Sequence, residues 1–298
     1  MLKPDFVRKG DKIAIVSTAR KIHQKEVEEA VKILEKWNLV PIIGKTIGLE
    51  NHQFAGTDEE RIGDFQRMLD DPEIKAIWCA RGGYGTIRII DALDFSKFQE
   101  RPKWIIGYSD VTVLHAHIHN LSISTIHAAM PIDIFKGTNE AKQSLYDALF
   151  GTNFNYQIPS NQNNRMGTSR GKLIGGNLSI LYAICGSISS IDCEGKILCI
   201  EDLDEYLYHI DRMLQNLKRN GYFDKLSGLI VGGMTKMHDN NIPFGKNAEE
   251  IILDTVKEYD FPVAFDFPMG HIEDNRALVL GTEVSLSVSE TEVILEYL

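Results

Sequence analysis

Ser109 stands in Gly107-Tyr108-Ser109-Asp110-Val111, directly after the apolar run Trp104-Ile105-Ile106 and just before Val113 and Leu114. The run reads as a buried strand, and the residues after Asp110 as the start of a helix. A serine at such a corner is exposed, rigidly held, and beside backbone N–H groups able to receive an oxyanion, which is what nucleophilic catalysis requires of it. The helix N-terminus adds a field that favours negative charge. Gly107 fits the nucleophile-elbow pattern G-x-S-x-G, whereas Val111 stands where the second glycine belongs. The competing reading is a helix cap, a place serine also favours.

A second stretch, Arg81-Gly82-Gly83-Tyr84-Gly85, closes another predicted strand. Adjacent glycines let backbone approach a substrate and aim N–H groups at it. The spacing is neither G-x-G-x-x-G nor a P-loop with its lysine, so a nucleotide site is disfavoured. A nucleophilic serine needs a base, and the base needs an orienting carboxylate. Of the nine histidines, His271 sits in the Pro- and Gly-bearing loop "DFPMGHIEDNRA", the kind of segment that carries catalytic groups. Glu201 closes the apolar strand "KILCIED", from where a carboxylate can reach a histidine; taken alone it also reads as a helix-start acid. In "HAHIHN", His115 and His119 share a helix face at i and i+4 while His117 points away. No carboxylates cluster there, so these read as ordinary helix residues and no metal site is expected.

The elements that must position these residues alternate. "KIAIVST", "LVPII", "KAIWCA" and "KWIIG" read as strands; "QKEVEEAVKILEKWN", "GTDEERIGDFQRMLDD" and "IRIIDAL" read as helices. Thr57 and Glu60 form a capping box. Alternation of this kind predicts a parallel sheet with helices on both faces. The polar stretch after Gly151 reads as a linker or exposed hairpin. Beyond it, "KILCIE" and "SGLIVGGM" read as strands, and "YHIDRMLQNLKRNGYF" as a helix stopped by Gly221. "KNAEEIILDTVKEYD" reads as a further helix, and the tail "RALVLGTEVSLSVSETEVILEYL" as antiparallel strands. The expected division is a first domain over 1–151, a linker over 152–170 and a second domain over 171–298.

The bulk numbers set limits. The 298 residues are 43% hydrophobic with a formal net charge of -10, which disfavours a phosphate-backbone partner. Cys79, Cys185, Cys193 and Cys199 form no CxxC pair, and two of them lie in apolar runs, in keeping with core thiols in a reducing compartment. No apolar run approaches membrane-spanning length and no signal peptide is evident, so a cytoplasmic protein without a membrane partner is expected.

Together the motifs resemble one family, the LD-carboxypeptidases. These are serine peptidases that include the muramoyltetrapeptide carboxypeptidases of cell-wall recycling and the microcin-immunity proteins. The resemblance runs over nearly the whole chain: "GDKIAIVSTA", "ARGGYGTIRI", "IIGYSDVTVLH", "GKLIGGNLSIL", "CIEDLDEYLYHIDRML" and "FPMGHIEDNRALVLG", in that order. It implies Ser109 as nucleophile, His271 as general base and Glu201 as its orienting carboxylate, with the N–H groups of Gly83 and Asp110 as oxyanion hole. It implies an α/β fold, an N-terminal flavodoxin-like sandwich carrying the nucleophile and a C-terminal β-rich domain carrying the acid and base. The segment after Glu201 is similar to the cell-wall recycling branch. That implies removal of terminal D-alanine from a murein stem tetrapeptide, by a homodimer in the cytoplasm, without metal or organic cofactor. A carboxypeptidase must also hold a terminal carboxylate. Arg81 and Arg276 are the candidates, since arginine grips carboxylates bidentately, against ordinary salt-bridge or surface roles for both. The alternatives are a microcin-type peptidase or amidase acting on an acylated nucleotide-like substrate, and a two-domain small-ligand binding protein.

Overall fold

The computed structural model describes residues 1–152 and 155–298. The chain divides into two compact units, Met1–Asn153 with Glu273–Val279, and Phe154–Ile272 with Leu280–Leu298.

The first unit is built on strands β1 (Lys12–Val16), β2 (Val40–Ile43), β3 (Ile74–Cys79), β4 (Trp104–Gly107) and β5 (Thr125–His127). Around them lie helices α1 (Gln24–Lys36), α2 (Asp58–Asp70), α3 (Ser96–Glu100), α4 (Thr112–Asn120) and α5 (Asn139–Phe150). The order β2-β1-β3-β4-β5, parallel at every pairing from β2 to β5, is the doubly wound, flavodoxin-like arrangement. Ile13 to Val16, Ile77, Trp78 and Trp104 to Ile106 are fully buried, as continuous apolar strands covered on both faces must be. The capping box forms as the sequence predicts: Thr57 Oγ1 accepts from Glu60 N at 3.2 Å, and Thr57 N donates to Glu60 Oε2 at 2.7 Å.

Two local expectations change. "IRIIDAL" folds as two single 3₁₀ turns, Thr86–Arg88 and Ile90–Ala92, instead of a helix. Thr86 N is drawn to the Asp110 carboxylate at 2.8 Å, and Arg88 forks onto Asp58. With three isoleucines in seven residues, propensity does little to resist these anchors. The tail also splits. β11 (Leu278–Leu280) leaves the C-terminal strands and extends the first sheet beside β5. All three of its residues are buried, whereas the strands after it alternate, so the continuous run suits the two-faced sheet.

The second unit contains β6 (Tyr156–Pro159), β7 (Gly167–Asn177), β8 (Ile197–Leu203), β9 (Gly228–Thr235), β10 (Val263–Ala264), β12 (Glu283–Val288) and β13 (Glu292–Tyr297), in the order β10-β9-β8-β7-β12-β13-β6. Helices α6 (Leu178–Ile184), α7 (Leu207–Arg219) and α8 (Ala248–Thr255) belong to it. β7 is the pivot. Its first half pairs antiparallel with β12 and its second half parallel with β8, so one strand joins a β-meander to an α/β half. The polar stretch 152–170, expected as a linker, supplies β6, an edge strand of alternating burial; Asn153 and Phe154 within it lie outside the described residues. Gly221, at φ +78°, follows α7 where the sequence places a stop.

Gly175 fixes how closely β7 and β8 approach. It lies at φ +128°, and a Cβ there would sit 1.9 Å from the Cys199 carbonyl oxygen. Gly175→Ala is expected to lose about 3 kcal/mol or more, read as a fall in the denaturation midpoint of the second unit; an unchanged midpoint would contradict this packing. Among the described residues no helix is long and apolar enough to cross a membrane.

Candidate active site

In the first unit, Ser109 lies at φ +60°, the left-handed region that L-residues avoid outside special turns. It opens a 3₁₀ turn, Ser109–Val111, that runs into α4. Ser109 therefore stands at a strained elbow, ahead of the helix it would otherwise cap, and stored backbone strain of this kind gathers at functional sites. Gly82 is packed against it: a Cβ on Gly82 would lie 3.3 Å from Ser109 Oγ and 3.3 Å from Asp110 N. The glycine loop and the elbow thus share one small space, which any side chain at 82 would fill. Gly83 is next, exposed at φ +104°, with the Arg20 side chain lying over it.

Two side chains hold loop and elbow together. Asp110 is buried and accepts from Thr86 N through Oδ2. Burial raises its carboxyl above the ordinary value, against the lowering effect of the Thr86 bonds. Arg61, fully buried on α2, donates from Nη1 to the carbonyls of Thr18 at 2.6 Å and Gly85 at 2.9 Å, and pairs with Asp58. Arg61 is a site residue beyond those the motifs point to. Its signal was a charged residue on the apolar face of α2, four before Phe65.

In the second unit, Glu201 lies near the end of the buried run of β8, one before Asp202, and is itself fully buried. Its Oε2 is 2.6 Å from His271 Nδ1 and accepts from His271 N at 3.2 Å. Its Oε1 accepts from Asn177 Nδ2 at 3.2 Å, and the same amide donates to Asp202 Oδ1 at 3.0 Å. Since the carboxylate accepts, His271 carries a proton on Nδ1, which makes Nε2 the nitrogen suited to act as base. Asn177, missed in sequence, was legible as the N-cap of α6, a role it also fills.

Asp202 is pushed up to about 6 by burial and by the adjacent Glu201 charge. The native carboxyl keeps its proton where the unfolded one, near 3.8, has released it. The resulting stabilisation is present below the unfolded value and is lost as pH rises through about 6, a change of about 3 kcal/mol at most. Asp202→Asn should therefore gain on the wild type between pH 4 and 7 in parallel denaturation curves. A difference independent of pH would refute this.

The other sequence candidates have partners of their own. Arg81 donates to the Lys21 carbonyl at 3.0 Å, and Arg276 forks onto Asp274, which also accepts from Thr138. His115 and His119 are buried; His115 Nε2 lies 2.9 Å from Gly107 O, and His119 Nε2 3.1 Å from Thr125 Oγ1. Among the described residues no group of three or more His, Cys, Asp or Glu has an arrangement able to hold a metal. The Cys79 thiol, fully buried, is pushed up to about 12 by desolvation. A cavity of about 860 Å³ in the second unit, lined by Asn161, Asn163, Met234, Glu249 and Phe265, contains neither Glu201 nor His271.

A strained serine at the end of a parallel strand, on a chain that also braces a histidine with a buried carboxylate, belongs to the serine-type hydrolases. Comparison with known proteins narrows the class. The LD-carboxypeptidase N-terminal domain matches residues 13–128 and the LD-carboxypeptidase C-terminal domain matches residues 170–286. A probable murein peptide carboxypeptidase of Bacillus subtilis is 34% identical, over 99% of this chain and 94% of that protein. A murein tetrapeptide carboxypeptidase of Pseudomonas aeruginosa is 26% identical, over 91% of each. The crystal structure of a muramoyltetrapeptide carboxypeptidase from Oxalobacter formigenes superposes with a TM-score of 0.87 at 23% identity, covering 96% of this chain and 98% of that one. The chain belongs to the LD-carboxypeptidase family and is a serine-type carboxypeptidase.

Proposed function

We propose that this chain hydrolyses the bond between an L-configured centre and the terminal D-alanine of murein stem tetrapeptides. The observation that carries the reading is the Glu201–His271 pair, a base held by a fully buried acid, on a chain with murein peptide carboxypeptidases among its relatives.

In this mechanism His271 Nε2 takes the Ser109 proton as Oγ attacks the scissile carbonyl. Glu201 holds the ring tautomer through Nδ1 and stabilises the imidazolium that forms. The N–H groups of Gly83 and Asp110 receive the developing oxyanion; a single such donor is worth roughly a hundredfold or more in rate. The imidazolium then protonates the departing D-alanine nitrogen. Water, activated by the same ring, hydrolyses the acyl-enzyme and restores the serine. Arg81 and Arg276 are the candidates for the substrate's terminal carboxylate, Arg81 in exchange for the Lys21 carbonyl and Arg276 beside Asp274. The family resemblance further supports a cytoplasmic homodimer, testable by light scattering at twice the mass of one chain.

Mass spectrometry of a stem tetrapeptide incubated with the protein tests the reading. Loss of one alanine, giving the tripeptide, is expected. An intact tetrapeptide alongside turnover of an aminoacyl-sulfamoyl nucleotide would move the chain to the microcin-type reading. No product from either substrate would leave a ligand-binding protein.

A further inference from the structure

We propose that His115 is a positioning residue for the nucleophile, fixing the peptide that leads into the elbow by donating a hydrogen bond to the Gly107 carbonyl. The proposal rests on the reading of Ser109 as that nucleophile.

His115 sits in the first turn of α4, and helical side chains lean back toward the N-terminus. From there its ring reaches the end of β4, with Nε2 2.9 Å from Gly107 O. A carbonyl only accepts, so Nε2 carries the proton and the ring is the neutral Nε2–H tautomer. The surroundings enforce the same state. The side chain is fully buried, and burial pushes its pKa down to about 3. Nδ1 has no hydrogen-bond partner among the described residues, so the ring's one polar contact is the one at Gly107.

The Gly107 oxygen receives a second donor, Ala128 N at 3.1 Å. Two donors on one carbonyl, one from the strand side and one from the helix side, fix the plane of the Gly107–Tyr108 peptide. From that plane the chain must pass within two residues to φ +60° at Ser109. Val111 closes the other side, since a Cβ on Gly107 would lie 2.8 Å from its Cγ2. With His115 removed, the peptide keeps only the Ala128 bond, and strain at 109 can relax by rotating it. The hydroxyl would then leave its attack geometry, and an error of about 1 Å there is worth roughly a hundredfold in rate.

The test uses His115→Leu, which keeps bulk and loses the donor, and His115→Gln, whose amide can donate at similar reach. Two rates are read: tetrapeptide turnover, and labelling of Ser109 by a fluorophosphonate. His115→Leu should lower kcat and labelling together by roughly ten- to a hundredfold, with KM within about twofold of wild type. His115→Gln should restore both to within about threefold. If the Leu variant does not fold, His115→Asn replaces it, its shorter amide falling short of Gly107. Wild-type rates in the variant lacking the donor, or equal impairment of Leu and Gln, would overturn the proposal. A wild-type enzyme that takes no label at Ser109, or an active Ser109→Ala, would overturn the nucleophile assignment itself and is read separately.

Discussion

Ser109→Ala should lower kcat for D-alanine release by about 10⁴-fold or more while KM stays within about threefold, because the hydroxyl acts only once the carbonyl is attacked. That loss corresponds to roughly 5 kcal/mol of transition-state stabilisation. The residue left by the substitution is not inert ground, since the N–H groups of Gly83 and Asp110 remain and should keep a weak catalysis above water. The backbone offers an independent check. Ser109 is held at φ +60°, where any side chain carries strain of about 1 kcal/mol or more. Alanine keeps that strain and glycine removes it, so Ser109→Gly should be inactive yet more stable than Ser109→Ala by about 1 kcal/mol in denaturant titrations. A position kept strained for its chemistry should show this opposition of activity and stability. Retention of more than a few per cent of wild-type kcat by Ser109→Ala, or a glycine variant less stable than the alanine one, would remove Ser109 from the mechanism.

What could be read from the sequence follows the range of the physics involved. The elbow was legible because a buried strand, a glycine and a polar triplet are local signals, and the parallel sheet built on β1 to β4 followed from their alternation with helices. The glycine loop was legible for its two adjacent glycines, of which Gly82 packs on Ser109. Arg61 was hidden because a buried guanidinium is explained by carbonyls 24 and 43 residues away, which no window of sequence contains. β11 was misplaced for a similar reason: its partner β5 is far off in the chain. Yet the unbroken run Ala277-Leu278-Val279-Leu280, against the alternating Val284-Ser285-Leu286-Ser287-Val288, already held the distinction. β6 was obscured by composition, since an edge strand with half its residues in water looks like a loop. His115 was read as an ordinary helix residue; its contact with Gly107 depends on how a helix turns back on the strand before it, and residue types alone do not disclose that.

Glu201→Gln should cost about 10³- to 10⁴-fold in kcat, although it preserves shape and volume. The two carboxylate oxygens face two donors: Oε2 meets His271 Nδ1 and Oε1 meets Asn177 Nδ2. Glutamine has one oxygen and one NH₂. Either it turns the NH₂ toward Asn177, leaving two donors face to face, or it turns it toward His271. In the second case the ring is driven to put its proton on Nε2, the nitrogen that the proposed mechanism needs as base. A tautomer error of this kind is worth about 10⁴-fold where it has been isolated in a serine protease. The buried position allows little escape, for Glu201 is fully buried and Gly270 is pressed against it. Gly270→Ala tests that wall directly. At φ +92° its Cβ would lie 2.5 Å from Glu201 Oε2 and 2.6 Å from Glu201 Cβ and Cγ, so either the acid or the His271 backbone must move. It should lose at least about a hundredfold in kcat and, unlike Glu201→Gln, should also lose stability through steric strain. If Glu201→Gln keeps near-wild-type kcat, the carboxylate does not orient the base; if Gly270→Ala keeps both kcat and stability, the packing that holds Glu201 on His271 is looser than these distances require.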